Sequence, residues 1–260
     1  MTQELFELLT FAIASVLHGI TGMAFPMIGT TTLAFVMPLS KAVAMVALPS
    51  IVMSFLVMSA NRVRPLTAEI WHYCQHYKLL ALSSMMGGVV GVQLLLVLPN
   101  YLLYLVMSVI TLYYVAQGFL SLKGKITELS VPTTPMSMAS FGFLAGVVGG
   151  STNAMSPILL MFLMSYTKDK NAIAKASNLC YLLGKLVQVL LLKAQFLSFN
   201  QKDWLMLMIL TAVSIGFLFV GIHLRTKMSI NTFKALTYGV LLLLALKIGY
   251  SGLQGLMTSV

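Results

Sequence analysis

The chain has 260 residues, 59% of them hydrophobic and only 8% charged, and its mean hydropathy is +0.94. A soluble domain carries roughly 25% charged residues, so this composition excludes one and points to a polytopic membrane protein with the lipid bilayer as its solvent. The formal net charge of +10 comes from Lys and Arg scattered singly through short loops. That is a signature of membrane orientation, and no nucleic-acid partner is expected.

The chain opens Met-Thr-Gln-Glu, with no basic n-region and no small-residue cleavage site after it, so no signal peptide is expected. An apolar stretch over 8–39 comes first, too long for one ordinary helix and interrupted by HGITGMAFP (18–26). Spanning runs follow at about 42–60, 79–98 and 101–122, separated by NRVRPLTAEIWHYCQHYK (61–78) and LPN (98–100). After KGKITELSVPTTP (123–135) the order starts again. A stretch over 136–167 is broken at VGGSTNAMSP (148–157), and runs at 171–192, 203–224 and 235–256 follow. The expected fold is therefore all-α, a single transmembrane domain over 1–260. Repeat 1 covers about 5–122, repeat 2 about 136–256, and 123–135 forms a cytoplasmic linker.

The two halves match at a common offset of 130 to 131 residues. Gly19, Thr21 and Pro26 recur as Gly150, Thr152 and Pro157; Ala42-Val43-Ala44 recurs as Ala172-Ile173-Ala174; Gly91 matches Gly221, and Leu94 matches Leu224. The shared order and offset indicate a duplication.

Charge decides between two topologies. If 8–39 and 136–167 each cross once, giving eight spans as two four-helix repeats, the loop Lys and Arg divide seven against seven. If each stretch is a re-entrant hairpin, Arg62, Arg64, Lys78, Lys123, Lys125, Lys168, Lys170, Lys175, Arg225, Lys227 and Lys234 share a face, and only Lys41, Lys193 and Lys202 oppose them. Eleven against three is what the positive-inside tendency favours, with the basic face cytoplasmic and the termini periplasmic. Hairpin arms over 8–20, 26–39, 139–149 and 157–167 would be roughly 16–21 Å long, too short for a hydrocarbon core of about 30 Å. Three crossings per half make the second repeat inverted relative to the first, as in many secondary transporters.

Non-helical backbone at membrane depth has to be satisfied by protein, water or ligand, so the two turns are the candidate site. Gly19 and Gly22 in the first turn, and Gly150 in the second, allow close backbone approach. Thr21, Ser151, Thr152 and Asn153 offer donors for an oxyanion. Ser156 before Pro157 reads as an N-cap that would aim free N–H groups into the site. Close helix packing is the alternative use of the same small residues. Lys185 near the middle of its run, Lys247 in the last run and His18 at the first turn are ionisable groups within the apolar stretches, with His223 close to a helix end; none is acidic. Intramembrane charges tend to mark a pathway, although a lysine can snorkel to the interface and a histidine can cap a helix.

Cys74 and Cys180 form neither a disulfide framework nor a metal spacing. His72 and His76 lie one helical turn apart in WHYCQHYK, but beyond Cys74 no third ligand is in view, and Trp71, Tyr73 and Tyr77 read as an interfacial aromatic belt. No metal or cofactor is expected, and no nucleotide loop or nucleophile–base motif is present, so no enzyme is expected.

At the repeated turns the sequence resembles the TauE/SafE family of membrane transporters, the sulfite exporters. The resemblance is carried by HGITGMAFP with KAVAMVALPS (41–50), and by AGVVGGSTNAMSP with NAIAKASN (171–178), and it covers essentially the whole chain. Gly19 and Gly22 stand apart where the family has consecutive glycines. The resemblance implies carriage of sulfite, thiosulfate, sulfonates or related organic anions across the bacterial inner membrane. The expected function is thus a secondary transporter of a small anionic substrate working by alternating access. An anion channel and a non-transporting accessory protein are the rivals. The coupling ion, H⁺ or Na⁺, and a homodimer stay open.

Overall fold

Backbone in lipid has to satisfy its own N–H and C=O groups within the segment, and helices do so. In the computed structural model, which describes residues 3–34, 36–125 and 131–259, every regular element among the described residues is a helix. Residues 126–130 of the expected linker, and Phe35 in the first interrupted stretch, lie outside the described residues.

The first half contains α1 (Gln3–Thr21), α2 (Ala24–Leu33), α3 (Leu39–Ser59), α4 (Leu66–His76), α5 (Lys78–Val97) and α6 (Asn100–Leu122). The second contains α7 (Pro135–Thr152), α8 (Ser156–Tyr166), α9 (Lys170–Leu191), α10 (Lys193–Leu197), α11 (Gln201–Lys227) and α12 (Ile230–Ser259). Local signals start several of them. Thr134 accepts from Ser137 N–H ahead of Pro135 to cap α7, and Asp169 accepts from Asn171 N–H to cap α9. Asn200 and Asp203 form a reciprocal capping box on α11.

Among the described residues, six helices are long and apolar enough to cross a membrane: α1, α3, α5, α6, α11 and α12. The chain is a multi-pass membrane protein. Two points differ from the sequence-based expectation. First, α9 is 22 residues long but carries Lys170, Lys175 and Lys185, so it is not among the six. Second, the hairpin arms are unequal. α1 and α7 have 19 and 18 residues, because helix continues outward on both sides of the apolar core of each arm, to about 27–28 Å. α2 and α8, at 10 and 11 residues, stay at about 15–17 Å.

At both interruptions the chain turns back on itself. Phe11 of α1 meets Phe25 of α2 at 5.4 Å between ring centroids; a straight helix would separate them by about 21 Å. Phe141 of α7 and Phe162 of α8 meet at 6.0 Å, against about 31 Å if straight. Each turn pivots on a residue with positive φ, Gly22 at 80° and Asn153 at 62°. Glycine takes that conformation without strain, and asparagine is one of the few other residues that tolerate it.

The helices then pack in exchanged pairs. α1 lies on α11 and α7 on α5, while α3 faces α9 and α6 faces α12. Matched glycines make the first two contacts. A Cβ on Gly19 would stand 2.7 Å from the Gly221 Cα, and one on Gly150 would stand 3.0 Å from the Gly91 Cα. Ion pairs tie helix ends together, among them Lys41 to Asp203 at 2.8 Å and buried Lys175 to Glu69.

Candidate functional site

The two turns meet at one face of α9. Asn178, Tyr181, Lys185 and Gln188 recur there at helical spacing, all buried, and each bonds to one turn or the other. At the first turn, Phe25 N–H donates to His18 Nδ1 at 3.3 Å, which leaves the proton on the other ring nitrogen. His18 Nε2–H therefore donates to Asn178 Oδ1 at 3.2 Å. Asn178 Nδ2 in turn donates to the carbonyls of Gly22 (2.7 Å) and Ala174 (2.8 Å). His18 thus caps the start of α2, and its ring is engaged on both nitrogens within the protein.

At the second turn, Asn153 sits in the left-handed conformation with its N–H donating to Gly149 O. Its Nδ2 donates to Thr30 Oγ1 of α2 at 2.6 Å. Its Oδ1 accepts from Lys185 Nζ and, at 2.8 Å, from Gln188 Nε2. Lys185 Nζ also donates to Gln188 Oε1 at 2.7 Å, and Gln188 Nε2 lies within bonding distance of the Gly149 and Gly150 carbonyls, at 3.0 and 3.2 Å. One lysine and two amides therefore hold the backbone where α7 ends.

Cross-links join the turns to each other. Ser156 Oγ lies 3.0 Å from Met23 O and 2.6 Å from the Tyr181 hydroxyl, which itself lies 3.3 Å from Met23 O. This corrects the N-cap expectation for Ser156. α8 begins at Ser156, so Met155 holds the cap position, and its side chain makes no cap bond. Ser156 is the first helical residue, and its hydroxyl reaches across to the first turn instead.

The remaining sequence candidates divide. Thr21 Oγ1 donates to Leu17 O at 2.8 Å and accepts from Met23 N–H at 3.2 Å. Ser151 and Thr152 both bond back to Val148 O, at 3.2 and 3.0 Å. Gly19 and Gly150 lie at the helix–helix contacts, and Gly22 lies against Ala174. The turns and Lys185 are thus brought together, whereas Ser151 and Thr152 direct their hydroxyls to their own helix. Asn178, Tyr181, Gln188 and Thr30 were missed from sequence. For the three on α9 a signal existed: polar residues spaced 3, 4 and 3 apart in an otherwise apolar run.

The cluster is closed. A cavity of about 10 Å³ touches Lys185, Gln188 and Tyr181, room for about one water. Wider cavities lie at opposite ends of the helices. One of about 820 Å³ is lined by Thr31, Tyr104 and the last turns of α12. The other, of about 410 Å³, is lined by His72, Tyr73, His76, Tyr77, Tyr166 and Asp169, among others. No group of three or more metal-ligating side chains occurs among the described residues.

A family model described as "Sulfite exporter TauE/SafE" matches residues 8–248. No curated protein and no solved structure matches the chain.

Proposed function

Because the chain belongs to the sulfite exporter TauE/SafE family, and so is a multi-pass membrane transporter, we propose that it carries a small sulfur oxyanion or organosulfonate across the bacterial inner membrane by alternating access. The observation that carries this reading is the α9 face, where one lysine and a set of amides and hydroxyls bind both re-entrant turns between two cavities on opposite ends. The charged member of this cluster is a lysine, and no carboxylate is among its members, which suits an anion. The volume beside Lys185 is too small for such an anion, which enters once the turns separate. An open channel would need a continuous path through the cluster, so the closure favours a carrier over a channel. The test is counterflow. Purified protein in liposomes preloaded with thiosulfate or sulfoacetate should take up labelled thiosulfate with saturation. Uptake no faster than in empty liposomes with every one of sulfite, thiosulfate, sulfoacetate and taurine would remove the anion reading.

Alternating access follows from the proposed architecture of two inverted repeats, each a re-entrant hairpin with three crossing helices. The fold-back at both turns, the short α2 and α8 and the exchanged packing of α1 on α11 and α7 on α5 support it. So does the basic excess on the proposed cytoplasmic face, with the termini then periplasmic. In a background lacking Cys74 and Cys180, cysteines placed beside Lys41 and Lys193 should react with an impermeant maleimide in intact cells. Cysteines beside Arg62, Lys123 and Lys168 should react only after permeabilisation. Equal outside labelling beside Lys41 and Lys168 would restore the eight-span arrangement. The coupling ion, H⁺ or Na⁺, is left to the ion dependence of the same liposomes.

A further inference from the structure

Arg225, counted in the sequence as a loop charge, is fully buried in the last turn-and-a-half of α11. Its Nε and both terminal nitrogens have no hydrogen-bond partner among the described residues. Only its backbone is engaged: Lys170 Nζ of α9 donates to the Arg225 carbonyl at 2.9 Å and also to that of Met228. Beside it in the same α9 turn, the Asn171 Oδ1 is buried without a partner as well. A guanidinium carries five donors in a fixed planar fork, and leaving them all unmade in a dry site is costly.

Its place is specific. Gly221, one helical turn earlier on the same face, is the residue that packs on Gly19 of the first turn. Arg225 therefore continues that face past the turn. Its carbonyl is held by Lys170, the chain neighbour of Asp169, and Asp169 lines the 410 Å³ cavity together with Tyr73. Arg225 is thus tied on one side to the α9 start beside that cavity and shares the α11 face that meets the first turn. Asp169 does not bond it: one carboxylate oxygen of Asp169 accepts from Asn171 N–H as the α9 cap.

We propose that the Arg225 guanidinium is an anion-binding site between the cytoplasmic cavity and the first turn, taking a compact oxyanion that presents two oxygens to the fork, such as a sulfonate or a sulfur oxyanion. The inference rests on the reading of the chain as an anion transporter. Bidentate pairing matches the planar fork to two oxygens of one such group. The carboxylate of Asp169 nearby keeps the site from holding its anion too tightly to release.

The test is a thermal-stability titration of the purified full-length protein with thiosulfate. Arg225→Gln should bind thiosulfate roughly 10- to 100-fold more weakly, the loss of one charged partner, and should melt no lower than wild type without anion. Arg225→Lys should fall between them. Asp169→Asn keeps the cap, since asparagine caps as well as aspartate, and should bind several-fold tighter because the competing charge is gone. If Arg225→Gln binds with wild-type affinity, or Asp169→Asn leaves the affinity unchanged or weaker, the site is overturned. The second variant decides the matter even if the first fails to fold. Wild-type protein unmoved by thiosulfate, sulfite and sulfoacetate alike would take down the anion-transporter reading and this site with it. Stabilisation that persists unchanged in Arg225→Gln overturns this site alone.

Discussion

Gly91→Leu should yield no monodisperse species on size exclusion in detergent, and Gly221→Leu should behave the same way. Each glycine is the point where two helices touch backbone to backbone. A Cβ on Gly91 would overlap the Val147 carbonyl oxygen and stand 2.9 Å from the Gly150 Cα; one on Gly221 would overlap the Val16 carbonyl and stand 2.8 Å from the Gly19 Cα. No side chain is there to swing aside, so the helices themselves have to separate. Overpacking of an ordinary core costs about 1–3 kcal/mol and occasionally more; here the obstruction is backbone on both sides, which places the cost at or above the top of that range. Within lipid, close packing of small residues provides much of the association energy, and separating α5 from α7 forfeits it. The control is Gly216→Ala on α11, where a Cβ meets nothing within 4 Å. That change should leave the protein intact or stabilise it by about 0.5–1 kcal/mol, the propensity difference between glycine and alanine in a helix. A Gly91→Leu protein that elutes and melts like wild type would show that the α5–α7 contact is dispensable.

These two glycines also show how far the sequence carried. Gly91 and Gly221 were visible as a matched pair at one offset, but pattern does not say what a residue touches. Only the fold shows that each packs on the other half, against Gly150 and Gly19. The breaks at 18–26 and 148–157 were legible because Gly and Pro cluster there with hydroxyl or amide residues, whereas a lone Pro49 inside α3 or the glycines inside α5 leave those helices continuous. Ser156 was misread because Ser-Pro is a local helix-start signal, whereas its hydroxyl is claimed by Met23 O and Tyr181, remote in sequence. Gln188 and Asn178 were not singled out as site residues; their roles depend on which carbonyls the turns expose. Arg225 was assigned to a loop because α11 was expected to end at 224, whereas the helix runs to Lys227 and carries the guanidinium inside. Periodicity locates helices, and partner identity across helices is the part it does not encode.

Lys185→Met should abolish counterflow, and so should Lys185→Gln, while both proteins remain folded. The lysine has three N–H donors; Asn153 Oδ1 and Gln188 Oε1 take two of them, and the third remains for a substrate oxygen. The α9 face holds no carboxylate, so an anion is the charge partner this buried ammonium lacks. Removing the ammonium relieves the roughly 2.5–3.5 kcal/mol that insertion scales assign to a charge at this depth. It also strands Gln188 Oε1, at about 1–3 kcal/mol, while Asn153 Oδ1 keeps its bond from Gln188 Nε2 at 2.8 Å. The two terms nearly cancel, so apo stability should change by no more than about 1–2 kcal/mol. Glutamine at 185 separates charge from positioning, because its amide can still donate to Asn153 but offers an anion no full charge. Lys185→Arg restores the charge in a planar fork that fits this site less well than a point charge, and should retain part of the rate. Gln188→Ala keeps the ammonium and removes one bond to the turn, so it should slow transport without stopping it. Should Lys185→Gln transport at the wild-type rate, the lysine would be a structural tie that holds the second turn, and the charge would have no part in carrying the anion.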